Sequence, residues 1–295
     1  MKLIRLVLLL VFVTACGWGQ SLDGVIDIHV HSGPDSTPRS IDAIDLARLA
    51  KQRGMRGLVL KNHYESTAAL AYVVRQVVPG IEVFGGIDLN RSVGGINTAA
   101  VERMVLMKGG YGKVIWMPTF DAENQVRYSK ENRPFVPVAK DGKLLPAVVD
   151  VIALAAKNNL TLETGHSSAE EGLMLVREGK RQGVQHMVVT HAMQAPVLMN
   201  VAQMKEAAGM GAYIEFVYGQ LLGANGESTL KDFVKAIREV GPEHIILATD
   251  LGQPRNPLHP DGMLAYLTAL HKEGFSDADL ALMSKTNPAR ALGLP

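Results

Sequence analysis

The sequence predicts an α/β protein, a (β/α)8 barrel of the TIM type, on three observations. Eight short apolar runs rich in β-branched residues alternate with longer amphipathic stretches, the signature of a parallel sheet built from strand–helix units. The ends of those runs, at His31, His63, Asn90, Phe120, His166, His191, Tyr218 and Asp250, lie mostly 25 to 32 residues apart. A chain of 295 residues, 47% hydrophobic and 20% charged, is long for an ordinary domain and normal for one such barrel.

Residues 1–20 come first and read as a targeting segment. Lys2 and Arg5 precede an apolar run, Leu6 to Val13, that is too short to span a bilayer as a mature helix. The tetrapeptide Val13-Thr-Ala-Cys16 resembles the lipobox of bacterial lipoproteins, in which the cysteine becomes a lipidated first residue; an ordinary cleavage site at or just after Ala15 fits as well. Either way the chain is expected to be exported, as a periplasmic protein or a lipoprotein held to the membrane through Cys16. Cys16 is the only cysteine, which excludes a cysteine zinc site, an internal disulfide and a cysteine nucleophile in the body of the protein.

The working domain is expected to span residues 22–295. Strands are predicted at 24–32, 57–63, 82–90, 113–120, 161–167, 186–193, 212–218 and 244–252. Helical periodicity appears between them, as at 41–50, where apolar residues recur at i, i+3 and i+4. Gly54 and Gly80 stand where helices should stop. One interval, from Phe120 to His166, is longer than the rest. Its excess, residues 121–146, is rich in charge, Asn, Pro and Gly and lacks a helix period, so a loop or hairpin is expected after strand four. On the face where strands finish, which holds the active site in such barrels, it becomes a candidate lid or substrate wall.

The polar residues fall at the strand ends. Strand one closes on His29-x-His31, two imidazoles on one face of a strand. Strand two ends Lys61-Asn-His63, strand five at His166, strand six at His191 and strand eight at Asp250. Metal-ligand or acid–base residues at one barrel mouth point to a metal site. His186 and His244 open strands, at the opposite end, and His259 and His271 lie in a loop and a helix, so none of these four is assigned to metal.

This pattern resembles the amidohydrolase superfamily of metal-dependent hydrolases: His-x-His on strand one, histidines on strands five and six, and aspartate on strand eight, with a closing 284–293 segment like that superfamily's last helix. The resemblance implies that His29, His31, His166 and Asp250 hold a catalytic ion, and that Asp250 moves the proton. It also implies that His191 ligates a second ion or polarises the scissile carbonyl. Strand four lacks the usual bridging lysine or glutamate. Lys61 and His63 are therefore candidate replacements: Lys61 as a carboxylated bridge or a substrate-binding ammonium, His63 as a ligand or substrate contact. Glu163 is a further carboxylate, turned by strand alternation away from the face of His166. Asn62, Asp88, Arg91, Thr119, Glu215 and Tyr218 are expected to face the pocket.

Imidazole and carboxylate suit zinc first, and manganese, iron or nickel as well, as one or two ions. Such an ion brings the pKa of bound water towards ~7, which predicts hydrolysis of a C–N or C–O bond in an amide, cyclic amide, lactone or ester. A decarboxylase-like lyase with one metal, or a metal-binding protein without activity, uses the same scaffold and stays open. The partner is a small-molecule substrate. The near-balanced formal charge of +1 and the lack of a basic stripe argue against nucleic acid, and self-association is left open.

Overall fold

A computed structural model describes residues 20–223 and 229–295. The leader at 1–20 and its Cys16 fall outside the described residues, apart from Gln20. Among the described residues, no helix is long and apolar enough to cross a membrane.

In chain order the elements are β1 (Ile26–His31), α1 (Ala43–Gln52), β2 (Gly57–Lys61), α2 (Ala68–Val77), β3 (Glu82–Asp88), α3 (Thr98–Val105), β4 (Gly112–Trp116) and α4 (Glu123–Tyr128). A short antiparallel hairpin follows, β5 (Ala139–Lys140) and β6 (Lys143–Leu144), and then α5 (Pro146–Lys157), β7 (Thr161–Glu163), α6 (Ala169–Gln182) and β8 (His186–Val189). The chain continues through α7 (Val201–Gly209), β9 (Ala212–Val217), α8 (Tyr218–Leu221), α9 (Leu230–Val240) and β10 (Ile245–Ala248). It ends with α10 (His259–Lys272), α11 (Asp277–Ala281), a π-helical turn (Leu282–Thr286) and α12 (Asn287–Ala291). Eight strands pair in parallel in the order β1-β2-β3-β4-β7-β8-β9-β10 and form a nearly closed barrel surrounded by helices.

Each predicted strand is present, but most are shorter than expected at the C-terminal end. Pairing stops at Lys61, Asp88, Trp116, Glu163, Val189 and Ala248. The polar residues beyond these points have left the regular ladder, although single backbone bonds such as His166 N to Pro118 O (2.9 Å) and Ala192 N to Glu215 O (3.1 Å) still join neighbouring strand ends. The segment after β4 contains the expected hairpin and also α4, a helix too short to show a period in the sequence.

The barrel has two apolar layers. Its interior is filled by Ile26, Ile28, Val59, Phe84, Val114, Trp116, Val188, Val217, Ile246 and Ala248, with Ala289, Ala291 and Leu292 at and just beyond α12 plugging the end where strands begin. The larger layer lies between strands and helices, with Leu46, Ala47 and Ala50 of α1 and Phe233 and Ile237 of α9 among its members. The larger of these side chains, such as Leu46, Phe233 and Ile237, each contribute about 1.5–3 kcal/mol when buried. Trp116 has room inside because β3 carries Gly86, where an added Cβ would lie 2.4 Å from the indole and 2.3 Å from Val114 O.

Candidate metal centre and its pocket

The site forms where the first and last strands meet. Asp250 N donates to His29 O and His31 N to Leu251 O, both at 2.9 Å. Below them the buried Asp27 carboxylate spans the seam. It accepts from Thr249 N (3.0 Å), Thr249 Oγ1 (2.6 Å) and His29 N (3.2 Å). Burial pushes Asp27 up to about 7 against those hydrogen bonds. The pairing of β1 with β2 slips between Asp27 and Val30, so two residues of β1 oppose one of β2. Such a bulge redirects side chains: Ile28 stays in the barrel interior while His29 and His31 reach the mouth.

Five imidazoles close a ring there. Centroid separations run 5.4 Å from His29 to His31, 4.8 Å on to His63, 6.5 Å to His166, 4.9 Å to His191 and 5.9 Å back to His29. Asp250 Oδ1 lies 3.2 Å from His29 Nε2 and 3.1 Å from His31 Nε2. The ligand atoms of His29, His31 and Asp250 all lie within 4.8 Å of one another, the group among the described residues that can converge on one ion.

Hydrogen bonds set which nitrogen of three rings faces the pocket. His29 Nδ1 donates to Glu215 (3.2 Å) and His166 Nδ1 to Gln125 Oε1 of α4 (2.8 Å). At His63 the network is longer: Asn90 Nδ2 donates to Thr119 Oγ1 (2.7 Å) and the Thr119 hydroxyl to Asp88 Oδ2 (3.0 Å). His63 Nδ1, 3.0 Å from Asp88 Oδ2 and 2.9 Å from Thr119 Oγ1, therefore carries the proton and donates to this pair. In all three rings Nδ1 is taken up by these partners, and Nε2 is the nitrogen left to the pocket.

The electrostatics follow from burial and pairing. Burial and the Lys61 ammonium press His29 down, but the Asp250 and Glu215 carboxylates outweigh them and hold it up at about 10. Burial brings His191 down to about 4 and pushes His31 and His166 well below the ordinary imidazole value. Burial opposes ionisation of Asp250, yet the His29 and His31 rings keep it well below the usual carboxylate range. His191 and Asp250 both adopt positive φ, at 25° and 51°, a costly conformation for such residues that is common at functional sites.

Lys61 is 1% exposed, with Nζ 3.1 Å from His29 Nε2, 4.0 Å from Asp88 Oδ2 and 5.2 Å from the Trp116 ring centre. It lines the pocket together with His63, His166 and His191, a cavity of about 370 Å³. None of these four belongs to the three-residue ligand group. All six residues expected to face the pocket, Asn62, Asp88, Arg91, Thr119, Glu215 and Tyr218, are absent from the lining. Asn62 turns its side chain to Tyr64 N (2.8 Å), and Arg91 is exposed, its backbone N donating to Asp121 Oδ2 (2.9 Å). Thr119 is taken up behind His63, and Tyr218 packs against Tyr266. Glu163 corrects the alternation argument: β7 ends at this residue, and its carboxylate is fully buried beneath the site, accepting from Thr190 Oγ1 (3.0 Å). Burial, then Glu215, push its pKa up.

Two more of the expected pocket residues stand behind it, and five participants carried no signal in the sequence. Glu215 and Asp88 back the histidines instead of lining the pocket, Gln125 reaches His166 from α4, and Thr37, Arg39, Gln194 and Gln253 complete the wall. No residue of 121–146 lines this cavity; at that strand end the wall is Phe120.

A family model described as a family of unknown function (DUF6282) matches residues 24–215. Among solved structures, an organophosphorus hydrolase from Deinococcus radiodurans superposes with a TM-score of 0.64 at 16% identity, covering 92% of each chain. A second, described as organophosphate hydrolysis activity engineered from a weak promiscuous lactonase template, gives a TM-score of 0.63 at 16% identity over 92% of this chain and 96% of its own. At that identity the likeness shows a shared fold. No curated protein matches the sequence.

Proposed function

The chain belongs to the family of unknown function DUF6282, and from that premise we propose that it is a metal-dependent hydrolase cleaving a C–O or C–N bond in a lactone, ester, amide or cyclic amide. One observation carries the reading: His29 Nε2, His31 Nε2 and Asp250 Oδ1 converge at a pocket ringed by five imidazoles. Two imidazoles and a carboxylate fit zinc, and also manganese, iron or nickel. Glu215 on His29 Nδ1 is the kind of outer partner that orients a ligating imidazole. His29 held as an imidazolium between two carboxylates marks the spot as one built for positive charge.

His166, His191 and His63 supply further nitrogens for a second ion. Lys61 has two roles open to it. Carboxylated, it would add oxygens to the donor set; as an ammonium, it would withdraw from a dication towards Asp88 and Trp116.

When bound, the ion supplies Lewis acidity and lowers the pKa of water towards ~7. Asp250, kept ionised by its two histidines, accepts the proton of the attacking water and returns it to the departing oxygen or nitrogen. The water oxygen joins the acyl carbon as the C–O or C–N bond breaks. His191, in its strained backbone conformation, is placed to polarise the acyl oxygen. The shared barrel of an organophosphorus hydrolase and a lactonase-derived enzyme supports hydrolysis on this scaffold and brings lactones to the front of the list. We also propose export, on the strength of residues 1–20.

The test is elemental analysis of the purified protein, followed by lactone, ester, amide and phosphotriester panels with CO2 release from carboxylic acids as a separate readout. Bound zinc or manganese with lactone or ester turnover is expected. A protein without metal and without turnover on any panel would refute the reading, and CO2 release without hydrolysis would move it to the lyase branch.

A further inference from the structure

The loop after β1, residues 33–42, forms one wall of the pocket and is unusually well fixed. It closes on itself through Gly33 N to Ile41 O (2.9 Å) and Ala43 N to Gly33 O (2.7 Å), and on the loop after β10 through Ser40 N to Gly252 O (2.8 Å). Gly252 lies two residues past Asp250. Arg39 projects from this loop into the pocket lining with its side chain only 9% exposed. Its guanidinium is braced by Asp35: Nε donates to Asp35 Oδ2 (2.7 Å), with Nη2 in an ion pair 2.7 Å from the same oxygen, while Asp35 Oδ1 accepts from Thr37 N (3.1 Å). Among the described residues, Arg39 Nη1 has no hydrogen-bond acceptor.

Besides the Nδ1 atoms of His31 and His191, two further atoms of the lining are buried and unpaired. Thr37 Oγ1 and Gln194 Oε1 are buried without a hydrogen-bond partner. Buried polar groups are almost always paired in the functional state. A braced arginine, an idle hydroxyl and an idle carboxamide in one lining with the histidines make a polar receptor within the same cavity. Lys61 is the other cation of the lining, but its Nζ lies against the ligand group, 3.1 Å from His29 Nε2 and 4.0 Å from Asp88 Oδ2.

We infer that the substrate of this pocket carries a carboxylate, bound by Arg39 Nη1 and Thr37 Oγ1, with Gln194 meeting a neighbouring polar group. The inference rests on the hydrolase reading for the identity of the pocket. It narrows the substrate class to acidic lactones, esters or amides, and Arg39 is the residue that selects them. The planar, permanently charged guanidinium suits a carboxylate, and the Asp35 brace fixes its orientation before ligand arrives.

Binding of glutarate, its monoamide and its diamide to the purified protein, measured by calorimetry, tests this without needing turnover. Each carboxylate replaced by a carboxamide should weaken binding, and Arg39→Met should weaken glutarate by about 10- to 100-fold, as loss of a charged hydrogen bond implies. Thr37→Val, nearly isosteric, should weaken it several-fold and keeps the test available if Arg39→Met does not fold. Equal binding of the diacid and the diamide by wild type, no glutarate binding at all, or affinity unchanged in Arg39→Met and Thr37→Val would overturn the inference; the last result is also what a carboxylate bound only to metal would give. Arg39-dependent glutarate binding by a protein that hydrolyses no panel substrate would instead leave the inference standing and remove the hydrolase reading.

Discussion

At the scale of single residues, Asp250 and Glu215 divide the work around His29. Asp250 faces the pocket and carries the proposed proton transfer; Glu215 lies behind and holds the ring. Asp250→Asn should keep the fold and lose turnover by several orders of magnitude, since a general base and a metal ligand oxygen are weakened together. Steady-state rates near wild type would end that assignment. Glu215→Gln should act on metal instead. Loss of a charged outer partner typically costs 10–100-fold in metal affinity, to be read by competition with a chromophoric chelator. His29, His31 and Asp250 were legible in the sequence because strand ends announce themselves. Glu215 stood out only as a strand-end acid, since the imidazole it orients is 186 positions away in the chain.

Among the elements, β1 and β10 matter most, because the barrel is completed at their seam by the residues that would hold the ion. Asp250 N to His29 O and His31 N to Leu251 O are both seam bonds, and His29, His31 and Asp250 sit on its two sides. Metal binding should therefore clamp the seam. Hydrogen exchange of the His31 and Asp250 amides is expected to be slower in metal-loaded protein than after chelation, while amides at β2–β3, remote from the seam, stay unchanged. Equal protection at the seam in both states would contradict this. Gly252 serves the same junction: at φ 127° an added Cβ would lie 2.1 Å from His31 O. The helix α4 is the element that the sequence concealed. With six residues it is too short for a period, yet its Gln125 reaches the ring of His166.

For the molecule as a whole, burial of charge inside a barrel predicts a pH response. Asp27 rises from 3.8 to about 7 and His29 from 6.5 to about 10, so the folded state holds both protons more tightly than the unfolded chain. Stability from Asp27 is full below 3.8 and lost as pH rises through about 7; that from His29 is full below 6.5 and lost through about 10. His191, lowered to about 4, acts oppositely between about 4 and 6.5. Above neutrality, therefore, the ion-free protein should lose thermal stability steadily up to pH 10, and metal uptake at pH 7.5 should release a proton as His29 gives up its own. Melting curves of chelated and zinc-loaded protein, with calorimetry in buffers of different ionisation enthalpy, measure both. A flat profile from pH 7 to 10 would contradict the His29 assignment. By itself the sequence determined the eight strands, their parallel order and the set of histidines and aspartate at one mouth, because hydrophobic period and chain spacing are local quantities that the barrel merely repeats. Only the tertiary structure decided which imidazole nitrogens face the pocket, that Glu163 points beneath the site, and that Arg39 enters the same lining as the histidines. Those depend on a bulge, a seam and side-chain partners brought together from distant strands, and nothing in local periodicity encodes them.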